Sequence, residues 1–299
     1  MQIAVTGATG FLGRYIVNDL LQAGHACRCW HRPSSDRSGF VDGPCTWLPG
    51  ELGNRQAADE LVAGADAVIH AALHHPGGRF VGGEGDLDEF VRRNVLGTIE
   101  LITAARRAGA GRFVFISTCA VHDVILPDRP LDETHPLWPK SHYGAHKAAI
   151  EKFVHSFGLG DGYPICALRP TGIYGLATPP SASRWFDLVR RVVAGETIAS
   201  ERGGKEVHAA DVARAARLLL TADGIAGQSY NCYDMYVADQ DVAEIAQRVS
   251  GSAARVERLN RGPKNQIQTD KLRALGMTFG GRERLEQTVA QLVEHLTSR

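Results

Sequence analysis

No sign of charge dominates this chain. Lys+Arg and Asp+Glu each number 33, and no long run of either sign occurs. Nucleic-acid and membrane-surface proteins carry a basic excess or stripe, so neither nucleic acid nor a membrane is expected as a partner. The six cysteines (Cys27, Cys29, Cys45, Cys119, Cys166, Cys232) are scattered, and none falls in a CxxC pair. A disulfide framework and a zinc site are therefore not expected, and most of the thiols should be reduced, buried and inert. No apolar run is long enough to cross a bilayer. Met1-Gln2-Ile3-Ala4-Val5 reads directly as a strand, with no basic segment leading into an apolar one, so the expected location is the cytosol. Internal repeats and low-complexity tracts are also missing. With 44% of its 299 residues hydrophobic, the chain can bury a sizeable core as one large domain or two small ones.

What is present begins at once. An apolar strand over residues 2–6 runs into Gly7-Ala8-Thr9-Gly10-Phe11-Leu12-Gly13, and Ile16, Val17, Leu20 and Leu21 then recur at helical spacing. Strand, glycine turn and helix form the context of a dinucleotide site. The glycines let backbone approach a pyrophosphate, and the helix N-terminus offers unpaired N–H groups and positive dipole. Gly7, Thr9, Gly10, Phe11, Leu12 and Gly13 are the candidate contacts, although the spacing is GxxGxxG and not GxGxxG. A second strand, Ala26-Cys27-Arg28-Cys29-Trp30, ends at His31 and Arg32, where an NAD site would place a carboxylate for the ribose hydroxyl. A guanidinium suits a 2′-phosphate, so NADP is favoured and NAD remains possible, with Arg14 and Arg37 as further candidates for that pocket.

A third strand covers Cys45-Thr46-Trp47-Leu48 and leads to Glu51 and Leu52, with a helix over about 54–63. A fourth, Asp66 to His70, leads into Ala71 and Ala72, small residues that let backbone lie against a ligand. His74 and His75 follow at a glycine-rich loop, Pro76 to Gly85. They read as solvated loop residues and not as metal ligands, and the loop suits a lid or substrate wall. One long helix is expected over 86–108, carrying Asn94. The fifth strand, Arg112 to Ile116, ends at Ser117 and Thr118, at the carboxyl edge where open parallel sheets bind ligands. A proline-rich segment, 127–139, precedes a helix bearing Tyr143 and Lys147. Residues four apart share a helix face, and an ammonium beside a phenol favours the phenolate. Poising a tyrosine near neutral pH takes roughly 4 kcal/mol of differential stabilisation. A sixth strand, Ile165 to Arg169, enters Pro170-Thr171-Gly172-Ile173-Tyr174-Gly175. The βα rhythm then breaks. Helices are expected over 185–194, from Glu206 to about Leu220, near 239–249 and near 282–297, with strands at 229–232 and 254–259.

Taken together, these pieces resemble the extended short-chain dehydrogenase/reductase family, also called the NAD-dependent epimerase/dehydratase family. The resemblance covers nearly the whole chain. It rests on the stretch from Thr6 to Gly13, His70-Ala71-Ala72, Asn94-Val95-Leu96-Gly97-Thr98, Ser117-Thr118, Tyr143 with Lys147, Arg169 to Gly175, Val207-His208-Ala209-Ala210-Asp211-Val212-Ala213, and Thr269 to Gly276. It implies a Rossmann-type α/β fold, a doubly wound parallel sheet with a smaller C-terminal α/β substrate domain. The expected division is 1–171 plus about 205–232 for the cofactor domain, and 172–204 and 233–299 for the other. It implies Tyr143 as acid/base and Lys147 as the holder of the nicotinamide ribose and the residue that lowers the tyrosine pKa. Thr118 would bond the substrate oxygen. Asn94, Pro170, Thr171, Ala71, Ala72, Glu51 and Leu52 would lie along the cofactor, with Glu51 in place of the usual adenine-contacting aspartate.

The departures narrow the reading. Dehydratases of the family carry an Asp-Glu pair after the Ser-Thr, and Cys119-Ala120 stands there instead, so water elimination is not expected. Many sugar-nucleotide epimerases have an asparagine where Gly172 stands, which weakens the case for a nucleotide-sugar substrate. His122, Trp138, His142 and Arg184 are candidate pocket residues. The function expected is an NAD(P)-dependent oxidoreductase or epimerase acting on a carbinol or ketone of a sugar or sugar-like substrate. The alternatives are an NADPH-dependent ketone or aldehyde reductase resembling dihydroflavonol reductases, and a non-catalytic NADP sensor. The helices near 86–108 and 142–158 match a pair that forms a four-helix interface in relatives, so a homodimer is expected.

Overall fold

The structure, a computed structural model, describes residues 1–77, 81–259 and 262–298. Residues 78–80 of the glycine-rich loop thus lie outside the described residues. In chain order the elements are β1 (Gln2–Thr6), α1 (Phe11–Gln22), β2 (Ala26–His31), β3 (Cys45–Pro49), α2 (Arg55–Val62), β4 (Ala67–His70) and α3 (Leu87–Val91). Then come α4 (Gly97–Arg107), β5 (Arg112–Ile116), α5 (His142–His155), β6 (Ile165–Pro170), β7 (Gly172–Tyr174), α6 (Phe186–Val193), β8 (Gly203–His208) and α7 (Ala209–Leu219). The chain continues through β9 (Gln228–Cys232), β10 (Met235–Ala238), α8 (Asp239–Ser250), α9 (Asp270–Arg273) and α10 (Gly281–Thr297).

The chain divides into two units, Met1–Pro170 with Val212–Cys232 and Gln268–Met277, and Thr171–Asp211 with Tyr233–Ile267 and Thr278–Arg299. The larger unit holds a seven-stranded sheet in the order β3-β2-β1-β4-β5-β6-β9, parallel throughout. The central strands read as continuous apolar runs because helices cover both faces; Ile3, Val5, Val68, Ile69, Phe113 and Val114 are all fully buried. Chain order reverses on either side of β1, so the switch point falls between β1 and β4. The smaller unit has a three-stranded sheet, β10-β8-β7, and a core of Tyr174, Val189, Val192, Val242, Ile245, Leu285 and Val289.

Three local expectations need correction. The helix over 86–108 is broken by a π-helical stretch at Arg92–Leu96 between α3 and α4. Residues 206–208 belong to β8 and not to a helix, because β7 and β10 pair with them on either side. No strand forms at 254–259, where the only pairing among the described residues is an isolated bridge from Val256 to Ile198. The short β7 and β10 were not foreseen. At three and four residues they are too brief for alternation to show.

Candidate active site

The glycine turn is built as the sequence implied. Gly7 has φ 70°, and a Cβ on it would come within 2.7 Å of Ala71 backbone atoms and 2.8 Å of the Ala72 nitrogen. Only glycine lets β1 and the end of β4 come this close. A Cβ on Gly13 would overlap the Gly7 carbonyl, so the third glycine lets α1 pack against the turn. Gly10 is exposed, is the N-cap of α1 and makes no side-chain cap bond; no acidic residue occupies the first turn. Free N–H groups and the positive helix end thus face an open position. This cradle fits a dinucleotide pyrophosphate, with Thr9, Phe11 and Leu12 around it.

Beside the turn a hydrogen-bond chain fixes the Ala71-Ala72 segment. Thr6 Oγ1 accepts from the Ala72 N–H at 3.2 Å and lies 2.6 Å from His70 Nδ1. His70 Nε2 is 2.9 Å from Thr98 Oγ1, which itself donates to the Asn94 carbonyl at 2.6 Å. Thr98 has no second proton, so Nε2–H must donate to it, and Nδ1 accepts from Thr6. That neutral tautomer agrees with burial pushing the His70 pKa down to about 3, helped by the Lys147 charge. Asn94 sits in the π-helical stretch and clamps the next residues. Its Oδ1 accepts from His74 N at 2.8 Å, and its Nδ2 donates to the His74 carbonyl at 2.9 Å and the Phe90 carbonyl at 3.0 Å. Its amide is therefore occupied in holding the loop after β4.

Ser141 caps α5 by accepting from Gly144 N at 3.0 Å, and the helix carries Tyr143 and Lys147. Thr118, at the carboxyl end of β5, hydrogen-bonds the Tyr143 phenol through its side chain. Thr118 Oγ1 also accepts from Ala120 N at 3.1 Å, so its single proton is the one directed at the phenol oxygen. Lys147 is buried; its Nζ donates to the Ile116 carbonyl at 2.7 Å and lies 4.5 Å from the Phe115 ring centroid. The structure brings the three residues together, but the electrostatics depart from expectation. Burial raises the Tyr143 pKa, and only the Thr118 hydrogen bond pulls it back. Burial likewise lowers Lys147 to about 7, against an opposing pull from Glu151. Desolvation is the dominant influence on both groups, and the Lys147 ammonium is directed at a backbone carbonyl.

Below these residues lies an ion pair that spacing alone did not single out. Arg169 Nε donates to both Glu151 oxygens at 3.0 Å, and its Nη2 to Oε2 at 2.5 Å. Ser117 Oγ donates to Oε1 at 2.5 Å and Ser229 Oγ to Oε2 at 3.1 Å. Burial alone would raise the Glu151 carboxyl, but the Arg169 charge and these hydrogen bonds outweigh it and hold it low. The available signal was position: Glu151 continues the i, i+4 face of Tyr143 and Lys147. The pair fastens α5 to the ends of β5, β6 and β9, next to Thr118.

Other candidates fall out differently. His122 is buried, 3.4 Å from Arg169 Nη1 and 3.3 Å from the Pro136 carbonyl. It is a packed spacer whose pKa burial lowers to about 4, and not an exposed pocket residue. Cys119 donates to the Arg169 carbonyl at 3.0 Å, and burial pushes its thiol up to about 12. Glu51 is taken up by an ion pair with Arg93 at 2.7 Å, while Leu52 is buried beside it. Arg14 is spent on Asp36 and Ser38. His31 bonds the Arg32 carbonyl at 3.1 Å, and the exposed Arg32 side chain makes no hydrogen bond or ion pair among the described residues. Pro170 ends β6; Thr171 follows with its hydroxyl buried and without a hydrogen-bond partner among the described residues. Trp138 and His142 are exposed, and Arg184 pairs with Glu206. No cluster of three metal-ligating side chains occurs among the described residues, and no described helix is long and apolar enough to cross a membrane.

Residues 3–232 match the family model described as NAD dependent epimerase/dehydratase family. A low-salt glycan biosynthesis protein of Haloferax volcanii is 29% identical over 293 residues, 92% of this chain and 93% of that protein. A 4-hydroxy-2-methyl-3-oxo-4-farnesyl-3,4-dihydroquinoline-1-oxide ketoreductase of Stigmatella aurantiaca is 32% identical over 234 residues, 70% of this chain and 67% of that one. Among solved structures, a UDP-glucose 4-epimerase of Thermus thermophilus in complex with NAD superposes with a TM-score of 0.78 at 24% identity, covering 99% of both chains. At that identity the likeness speaks to fold alone.

Proposed function

The chain belongs to the NAD-dependent epimerase/dehydratase family, and on that footing we propose that it is an NAD(P)-dependent oxidoreductase interconverting a carbinol and a ketone, with Tyr143 as the proton-transfer group. The observation that carries this reading is the hydrogen bond from Thr118 to the Tyr143 phenol, one helical turn from the buried Lys147. A dinucleotide held by the glycine turn, the α1 N-terminus and the Ala71-Ala72 segment would supply or accept the hydride. The chain's own residues handle the oxygen. Thr118 donates its single proton to the Tyr143 oxygen, and the phenol offers its own proton to a substrate oxygen. Tyr143 gives its proton to the oxygen of a ketone being reduced, or takes one from a carbinol being oxidised. Burial that keeps the phenol protonated favours the donating role, and hence reduction. Water elimination falls outside the reading, because desolvation makes Cys119 a very weak acid and Ala120 carries no ionisable proton.

The Arg32 side chain, which directly follows β2 and makes no hydrogen bond or ion pair among the described residues, supports NADP as the cofactor. Exposed Leu87 and Val91 on α3 and Phe153 on α5 support pairing of this face with a second copy. A light-scattering mass near one subunit would remove that part of the reading.

The deciding experiment measures cofactor binding first and then turnover on a carbinol and ketone panel with the preferred cofactor. Tyr143→Phe should lower kcat by roughly a hundredfold or more with cofactor affinity unchanged. Near-normal turnover in that variant defeats the proposed role, and a clear preference for NAD defeats the role given to Arg32. Net change in nicotinamide absorbance marks a reductase, and isomerised product without net change marks an epimerase.

A further inference from the structure

Within the larger unit, one short segment, Glu84 to Phe90, holds Tyr143 from outside its own helix. The Tyr143 backbone N–H lies in the first turn of α5, where no helical carbonyl is in reach, and it donates to Glu84 Oε1 at 3.3 Å. Glu84 is 8% exposed and makes no other hydrogen bond and no ion pair among the described residues. A carboxylate is seldom buried without a cation, and what this one faces is the positive end of α5. The chain on either side sets its direction. The Gly77 N–H donates to the Gly83 carbonyl at 3.0 Å, and a Cβ on Gly77 would lie 2.8 Å from Gly83 Cα. Gly85 has φ 71°, and a Cβ on it would lie 2.7 Å from Pro76 Cγ. Asp86 then caps α3 by accepting from Glu89 N at 2.8 Å. The same segment backs the phenol ring. The Tyr143 and His146 ring centroids are 5.4 Å apart, and His146 meets Phe90 of α3 edge to face at 4.9 Å. Phe90 and His146 are both buried, and burial, helped by the Lys147 charge, pushes the His146 pKa down to about 2. His146 is therefore a neutral spacer between α3 and the tyrosine.

We propose that Glu84 is a positioning residue for Tyr143: it holds the backbone of the proton-transfer group from the glycine-rich loop, while Thr118 holds the phenol from the end of β5. This role rests on the oxidoreductase reading above and deepens it. Proton transfer needs the phenol oxygen within about 3 Å of the reacting oxygen, and a displacement of about 1 Å can cost on the order of a hundredfold in rate. The first turn of a helix is where displacement is easiest, because its N–H groups gain nothing from the helix itself. Glu84 and Ser141 supply acceptors to two successive N–H groups there, those of Tyr143 and Gly144. Ser141 belongs to the helix end and moves with it. Glu84 comes from a separate segment, closed at Gly77 and Gly83 and capped into α3, so it alone ties the turn to something fixed. The task calls for an acceptor oxygen and not for a charge, so an amide of the same length at position 84 serves as well.

The test compares Glu84→Ala with Glu84→Gln in the full chain, after saturable cofactor binding has shown that each is folded. The first arm follows hydrogen exchange at single-amide resolution. Glu84→Ala should speed exchange of the Tyr143 amide by about tenfold or more, and Glu84→Gln should stay within about threefold of wild type. An unchanged Tyr143 amide in Glu84→Ala overturns the proposal. The second arm follows turnover of a carbinol or ketone that wild type accepts. Glu84→Ala should lower kcat by about tenfold or more, with KM and cofactor Kd within about threefold, and Glu84→Gln should restore kcat. In a Tyr143→Phe background, Glu84→Ala should not lower the residual rate further, because it acts only through the phenol. An undiminished kcat in Glu84→Ala, a loss that Glu84→Gln fails to restore, or a loss that persists in the Tyr143→Phe background overturns the proposal. Should wild type turn over no carbinol or ketone, the oxidoreductase reading fails, while the exchange arm still decides whether Glu84 holds Tyr143.

Discussion

Each unit buries one glutamate against one arginine, and the two pairs are built to opposite ends. Glu151 and Arg169 have side chains 0% and 2% exposed, and both Glu151 oxygens are bonded by Arg169 and a serine. Glu206 is as deeply buried, but one of its oxygens has no partner and its arginine is half in solvent. Burial works against the charged form of both acids. Three groups reverse it at Glu151 and hold the carboxyl low; one half-exposed cation cannot at Glu206, which rises to about 7. A satisfied pair fixes geometry, and here it fixes α5 against the strand ends that carry Thr118. The second pair leaves one acceptor oxygen without a donor among the described residues.

Removing one partner of the satisfied pair should give the largest effect. Glu151→Gln leaves the Arg169 charge buried without a counter-charge, which costs about 3–5 kcal/mol. The urea midpoint of the variant should fall accordingly, and its deficit relative to wild type should widen as pH rises above about 4.5. The sign follows from linkage: a depressed folded pKa gives stability that is present above the unfolded value of about 4.5 and lost as pH falls. The double variant Glu151→Gln with Arg169→Met should recover part of the loss. A single variant within 1 kcal/mol of wild type would show that the two pairs do not differ as described.

The sequence made the cofactor side of the larger unit legible because its signals are local. Gly7 and Gly13 read correctly since a strand–turn–helix needs small residues at those places whatever surrounds them. Tyr143 and Lys147 were placed together correctly because helical spacing is local too. Their pKa directions could not be read, since desolvation depends on Phe115 and Ile116, which reach the helix only through tertiary packing. The π-helical stretch at Arg92–Leu96 leaves no mark on apolar periodicity. Residues 206–208 look helical because Ala209, Ala210 and Val212 continue into α7; the partners that make them a strand lie some thirty residues away on either side in sequence. The same distance hid Glu206, whose carboxylate lies against Gly172 of β7.

A smaller, opposite-signed effect is expected at the unsatisfied pair. The folded pKa of Glu206 is raised, so its contribution to stability is fully present below about 4.5 and is lost as pH rises through about 7. Glu206→Gln removes that dependence. The variant should match wild type at pH 5 and exceed it by roughly 2 kcal/mol at pH 8, read from denaturant midpoints at the two pH values. A variant less stable than wild type at pH 8 would mean that ionised Glu206 is satisfied after all, and the contrast with Glu151 would collapse.

The smallest effect should come from Arg184. Its guanidinium is half in water, so screening discounts its pairing energy to about 1 kcal/mol or less. Arg184→Ala also leaves Glu206 an escape: without the cation, the acid keeps its proton to higher pH and stays neutral. The variant should therefore be indistinguishable from wild type at pH 6 and lose about 1 kcal/mol at pH 8, where ionisation of a buried acid can no longer be offset. A loss of 3 kcal/mol or more at both pH values would place Arg184 in the same class as Arg169, a residue that holds the fold.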